Sequence, residues 1–336
     1  MPIRIGARGW AICMTNRAAL IDANLQQSDW AEWQVEQLAG DASGRRYLRL
    51  RSGDQSVILM DAPPESGEDT RHFARIADWL SGVGLTPPRI LAHDAEQGIM
   101  ILSDLGVLDF PRWISRHPHD EVPIYRAAAD VLVHLAKQTP PAALIHMTPV
   151  VAGEMVAITG QHYARHDIPD LCAEVTAHFA DHAPNPNTLA LRDYHAENLI
   201  WRADQEGLAR VGLLDFQDAF IAPEGYDLAS LLRDVRRDVD QSLAEAMTAY
   251  YIEKTRRDAA FRVQLACLGA QRNLRILGVF ARLACVRGKP HYVDLIPRVW
   301  TNLMRDLDHP ALTQLRQATL DCLPAPDAAL LDRLRA

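Results

Sequence analysis

The 336-residue sequence predicts an α+β fold of two lobes, a small antiparallel sheet lobe followed by a larger helical lobe. Three observations carry this. Short apolar runs bounded by turn residues fill the first hundred positions. Helical spacing dominates after Leu105-Gly106. One further strand pair interrupts the helices, at Leu199-Ile200-Trp201 and Val211-Gly212-Leu213-Leu214. Such a plan puts a cleft at the joint between the lobes.

The elements follow in order. Residues Trp30–Leu38 mix apolar and polar positions, and Gly40-Asp41-Ala42-Ser43-Gly44 supplies turn chemistry. Arg45–Arg51 and Ser56–Asp61 read as two strands joined by the hairpin turn Ser52-Gly53-Asp54-Gln55, with Pro63-Pro64 ending the second. Glu68–Leu80 has helical spacing, with Phe73, Ile76, Ala77 and Leu80 on one face. Gly84 and Pro87-Pro88 end it, and Arg89–His93 and Gly98–Leu102 read as two more short strands. Beyond them Val122–Gln138, Glu154–His166 and Asp170–His182 are helical, and the chain is mainly helical from Tyr226 onward.

Composition narrows the function classes. Hydrophobic residues make up 48% and charged residues 23%, so a core forms without staples. The formal net charge of −8 argues against a nucleic-acid binder, which usually carries a basic face. The five cysteines are odd in number and widely spaced, with no C-x-x-C pair. They give neither a disulfide framework nor a zinc site and suit a reducing compartment. No apolar run approaches the roughly 20 residues that span a bilayer, and Arg282 breaks the best one, Ile276–Val286. The stretch Trp10–Met14 behind Arg4 and Arg8 is too short for a signal peptide. Met14 is an alternative start, with the first 13 residues then disordered or untranslated. A cytoplasmic protein that docks on no membrane, monomeric or weakly dimeric, is expected.

The segment that carries chemistry is 189–219. Its two apolar strands flank a polar turn, Ala203–Gly207, and pair as a hairpin. Asn198 sits just before the first strand and Asp215 just after the second, so pairing brings an amide oxygen and a carboxylate together. Asp193, five residues before Asn198, is within loop reach of the same point. Phosphoryl transfer from ATP needs hard oxygen ligands for Mg²⁺ and a carboxylate that takes the proton of the attacking hydroxyl. This D-x-x-x-x-N loop, hairpin and D-F supply those parts. The plainer reading makes Asp193 and Asn198 turn residues and Asp215 a strand cap.

Asp193-Tyr194-His195-Ala196-Glu197-Asn198 and Leu214-Asp215-Phe216-Gln217 resemble the motifs of the aminoglycoside phosphotransferase/choline kinase family, distant relatives of protein kinases. The resemblance covers roughly residues 28–300. It implies a two-lobed protein-kinase-like fold, with an extension and first helix over 1–27, a nucleotide-binding lobe over 28–103 and a helical substrate lobe over 104–336. It puts the catalytic Asp on Asp193, the loop His on His195, and the metal-binding pair on Asn198 and Asp215. Asp227, in Tyr226-Asp227-Leu228-Ala229, falls on the Asp that braces the catalytic loop. ATP and Mg²⁺ are the implied cofactors. Within the family, Ala39–Ser43 with Arg45-Arg46-Tyr47, Met60–Glu65 and Gln271-Arg272-Asn273 resemble the anomeric N-acetylmuramate/N-acetylglucosamine kinases of bacterial cell-wall recycling. That resemblance implies phosphorylation of a sugar at its C1 hydroxyl.

Two features depart from the family pattern. Leu191 stands where many relatives have a His. The third strand, Val57–Asp61, has no cation for the nucleotide phosphates. Arg45 or Arg46, beside the turn carrying Ser43, is expected to replace that charge, although both also read as solvated strand residues. The connector at Ser103 and Leu105 is expected to offer backbone groups to adenine. Arg272, Arg275 and Arg282 lie near one stripe of a helix over Phe261–Arg287. Arg272 there could hold a substrate carboxylate or phosphate, or belong to a solvated basic face. His195 is expected to hydrogen-bond the substrate. Rival readings are a kinase for another small hydroxyl compound (aminoglycoside, choline or ethanolamine, methylthioribose) and a catalytically silent nucleotide-binding regulator.

Overall fold

The computed structural model describes residues 7–38, 44–67 and 69–336. The chain divides into two compact units, one running to Asp78 and resuming over Pro87–Leu105, the other comprising Trp79–Thr86 and Gly106–Ala336. The division at Leu105/Gly106 lies two residues from the one read at 103/104. The first helix counts with the sheet unit, and the segment 79–86 with the helical one.

In the sheet unit, α1 (Ala7–Gln26) precedes β1 (Gln34–Gln37), β2 (Arg46–Ser52) and β3 (Gln55–Asp61). Residues 7–13, within the expected extension and first helix, are helical. After α2 (Thr70–Gly82) come β4 (Ile90–Asp94) and β5 (Ile99–Ser103), giving an antiparallel sheet in the order β1-β2-β3-β5-β4. Strand side chains alternate between faces, so Leu50, Val57, Leu59, Ile99 and Ile101 fall together and bury against Ile21 and Leu25 of α1. The α2 residues read as one apolar face, Phe73, Ile76, Ala77 and Leu80, are all buried.

The helical unit contains α3 (Phe110–Arg116), α4 (Glu121–Leu135), α5 (Pro149–Glu154), α6 (Ala157–Thr159) and α7 (Pro169–His182). Four short strands follow, β6 (Thr188–Ala190), β7 (Leu199–Trp201), β8 (Val211–Leu213) and β9 (Phe220–Ala222). The rest is helical: α8 (Tyr226–Leu232), α9 (Gln241–Thr255), α10 (Ala260–Cys285), α11 (Ile296–Leu307), α12 (Thr313–Cys322) and α13 (Ala328–Arg335). The core gathers on α10, whose Leu268, Leu274, Leu277 and Phe280 pack with α7, α8 and α11.

Two sequence expectations need correction here. The helix expected over Glu154–His166 is broken into the end of α5, the single turn of α6 and a wide turn over Gly160–Ala164. The break seats Thr159 on α10, where its Oγ1 donates to Leu274 O at 2.5 Å. A Cβ added at Gly278 would stand 2.5 Å from Thr159 N, so only glycine admits that approach. Besides the expected β7–β8 pair, β6 pairs with β9, placing the Asp193–Asn198 loop between two ladders. Among the described residues no helix is long and apolar enough to cross a membrane.

Candidate active site

The β7–β8 hairpin pairs Leu199 with Leu213 and Trp201 with Val211, and the Leu214 N–H donates to Asn198 O at 3.0 Å. The residues just outside the ladder are thereby brought together. Asn198 Nδ2 lies 3.4 Å from Asp215 Oδ2, donates to Asp193 O at 2.9 Å and approaches His195 Nε2 at 3.2 Å. Asp215 adopts a left-handed backbone (φ 56°), and Gln217 Nε2 donates to its Oδ1 at 2.6 Å.

With its nitrogen turned to those acceptors, Asn198 keeps Oδ1 for another partner, next to the Asp215 carboxylate. Among the described residues no group of three or more His, Cys, Asp or Glu could hold a metal. What exists is one amide oxygen and one carboxylate. That set fits Mg²⁺, which takes few protein ligands and completes its shell with water and phosphate oxygens.

The loop carrying Asp193 is tied at both ends. Asp227, buried near the start of α8, accepts the Leu191 N–H at 2.6 Å and the Arg192 N–H at 3.0 Å. Gly225, at φ 98°, turns the chain into α8 and sets that carboxylate's position; a Cβ there would meet the Phe261 ring at 2.9 Å. At the other end Asp234 Oδ2 accepts the Ala196 N–H at 3.2 Å. The Asp193 carboxylate itself makes no hydrogen bond among the described residues.

His195 is 4% exposed. Burial, then the charges of Arg236 and Arg272, hold its pKa well below the usual imidazole value, so it is neutral. Its Nε2 faces the Asn198 amide donor, which assigns the ring proton to Nδ1. Nδ1 is buried and has no partner among the described residues. Tyr194 points away, its hydroxyl donating to Ala128 O in α4 at 2.9 Å. Glu197 is exposed and pairs with Arg236 at 3.2 Å.

The expected nucleotide residues divide. Ser43 and the turn Gly40–Ser43 lie outside the described residues, as does Glu68. Arg45 is buried. Arg46, the alternative to Arg45 for the missing strand charge, approaches Asp61 Oδ2 at 2.9 Å through Nε and 2.5 Å through Nη2. Asp61 is fully buried and also takes Arg17 Nε at 2.7 Å. A carboxylate removed from water needs compensating charge, and these two arginines provide it. Ser103 donates its N–H to Arg89 O and accepts the Arg89 N–H on Oγ, both at 2.8 Å; Leu105 is half-buried.

The arginine stripe of α10 splits. Arg272 is 4% exposed, Arg275 half-buried, and Arg282 exposed near His162. Sequence reading passed over Gln217, although it closes the quoted Leu214–Gln217 motif. It also passed over Asp234, two residues beyond α8, for which spacing gives no signal.

A loop carboxylate beside an Asn–Asp oxygen pair is the arrangement of kinases that move a phosphoryl group onto a hydroxyl, and the chain is such a kinase. It belongs to the phosphotransferase enzyme family, whose model matches residues 34–261. An N-acetylmuramate/N-acetylglucosamine kinase of Caulobacter vibrioides is 33% identical to it over 354 aligned residues, covering 90% of this chain and 95% of that one. A second protein of that name, from Pseudomonas aeruginosa, is 32% identical over 282 residues, covering 79% and 81%. The crystal structure of a choline/ethanolamine kinase family protein from Mesorhizobium loti shares the fold, with a TM-score of 0.63 at 16% identity over 90% of this chain and 98% of that one.

Proposed function

We propose that this kinase transfers the γ-phosphoryl group of ATP to the anomeric C1 hydroxyl of N-acetylmuramate or N-acetylglucosamine, giving the sugar 1-phosphate, in the recycling of cell-wall sugars in the cytoplasm. The observation that carries the acceptor is the 33% identity, across 90% of the chain, to a relative named for those two sugars.

Asp193 accepts the proton of the C1 hydroxyl as its oxygen attacks the γ-phosphorus; the bond to the bridging oxygen breaks and ADP leaves. Asn198 and Asp215 would hold Mg²⁺, which supplies charge neutralisation on the phosphate oxygens. Gln217 fixes the Asp215 carboxylate. Asp227 and Asp234 keep the loop in place, so Asp193 meets the hydroxyl without rearrangement. Neutral His195 offers its Nδ1–H to the sugar, and Arg272 serves the same substrate. Arg45, Ser103 and Leu105 are assigned to the nucleotide.

The test is phosphorus NMR of the protein with Mg-ATP and either sugar, with Asp193→Asn alongside. A sugar 1-phosphate signal that depends on Asp193 is expected. ATP binding without any sugar phosphate would discard the acceptor and point to another small alcohol or a silent regulator.

A further inference from the structure

We infer that Arg272 and Arg275, together with Arg192, form a carboxylate-binding subsite beside Asp193 that favours acceptors bearing an acidic substituent. The inference rests on the sugar-kinase reading above and names what the helical unit recognises in the sugar.

Arg272 and Arg275 are three residues apart on α10 and therefore neighbours on one helix face. Arg272 is 4% exposed, and its Nη1 is buried with no partner among the described residues. Arg275, half-buried, makes no hydrogen bond or ion pair among them either. Arg192 adjoins Asp193 in the loop, and among the described residues its side chain has only a 3.8 Å ion pair, with Asp218. Tyr226, on α8, presents a buried hydroxyl that is also without a partner there. The helix α8, which carries Tyr226, packs on α10. The Tyr226 phenol feels Arg272, Arg275, Arg192 and Asp193, and Arg275 feels Arg192, Tyr226, Asp193 and Arg272.

Two arginines elsewhere in this unit answer buried carboxylates. Arg233 donates to the buried Asp306 at 2.7 Å, and Arg257 binds the buried carboxylate of Glu224. A guanidinium taken out of water without an anion is costly, yet Arg272 is left in that state and Arg275, half-buried, partly so. The two local carboxylates do not answer them. Asp193 is reserved for the hydroxyl proton, and Asp227 is occupied by two backbone N–H groups. The missing anion therefore comes with the ligand. Planar guanidinium forks suit a carboxylate. The two sugars of the proposed function differ in that respect, because N-acetylmuramate carries a lactic acid ether and N-acetylglucosamine a free hydroxyl.

Nucleotide phosphate is the other anion such arginines could take, and steady-state kinetics separates the two. For Arg275→Gln and Arg272→Gln, KM is measured for each sugar and for ATP. The expected result is a rise in KM for N-acetylmuramate at least about tenfold larger than that for N-acetylglucosamine, the scale of a lost charged hydrogen bond, with KM for ATP within about twofold. Arg275→Lys should recover part of the loss. Equal rises for both sugars overturn the subsite alone, and a rise confined to ATP assigns the anion to the nucleotide and overturns it too. A wild-type protein that phosphorylates neither sugar overturns the acceptor assignment and the subsite together. Should Arg272→Gln fail to fold, the less buried Arg275→Gln decides the matter.

Discussion

Asp227 Oδ2 accepts the Leu191 N–H at 2.6 Å, a buried hydrogen bond that ties α8 to the start of the loop carrying Asp193. The second carboxylate oxygen takes the next N–H in the chain, that of Arg192. A protonated carboxyl has one oxygen that donates, so it cannot hold both N–H groups equally well.

This has a pH consequence. Burial pushes the Asp227 carboxyl up to about 7, against the opposing pull of the two N–H groups and Arg272. The group is an acid and its ionised form braces the loop, so the brace is complete well above pH 7 and is lost as pH falls through about 7. The maximal rate kcat should therefore decline as pH falls through about 7. In Asp227→Asn that acid limb should vanish, leaving a low, flat rate. Persistence of the limb in the variant would count against Asp227 as its source.

Asp193→Asn should lower kcat by a factor of about 10² to 10⁴, the usual range for loss of a general base. Nucleotide affinity measured by calorimetry should change little. A comparable loss of nucleotide binding would mean that Asp193 does something other than receive a proton.

Asp215→Asn should weaken magnesium-dependent nucleotide binding by about tenfold or more, since a neutral amide replaces a charged ligand of a hard cation. Gln217→Ala frees the same carboxylate without removing it and should shift the magnesium titration less. Equal shifts would sever the connection between Gln217 and metal binding.

In the sheet unit, Asp61→Ala leaves Arg17 and Arg46 without their buried anion and should cost about 3 kcal/mol. Arg46→Ala should cost less, about 1 kcal/mol, because Asp61 keeps Arg17 and the Arg46 side chain is 37% exposed. Urea unfolding of both variants gives the order. The reverse order would make Arg46 the principal partner.

The meeting of Asn198 and Asp215 was legible because it is local. Asn198 and Asp215 flank a short hairpin, and strand pairing alone predicts that they meet, as the 3.4 Å separation records. Four of the sheet strands were legible as short runs bounded by turn residues. Other features depend on groups distant in sequence. Hairpin register sets Arg46 opposite Asp61, but nothing in it announces that this carboxylate is fully buried or shared with Arg17, 44 residues before it. Strands β6 and β9 have three residues each, too few to show a period. Helical spacing put Arg272 and Arg275 on one face of α10, but burial of Arg272 is decided by what α10 packs against.

The loop held by Asp227 and Asp234 has one more consequence. Its backbone loses its freedom once, when the chain folds, and not again in each catalytic cycle. Substrate binding then has only the sugar and nucleotide left to order. The chemical step should accordingly show a small entropic component in its temperature dependence, and one that grows when either tie to the loop is cut.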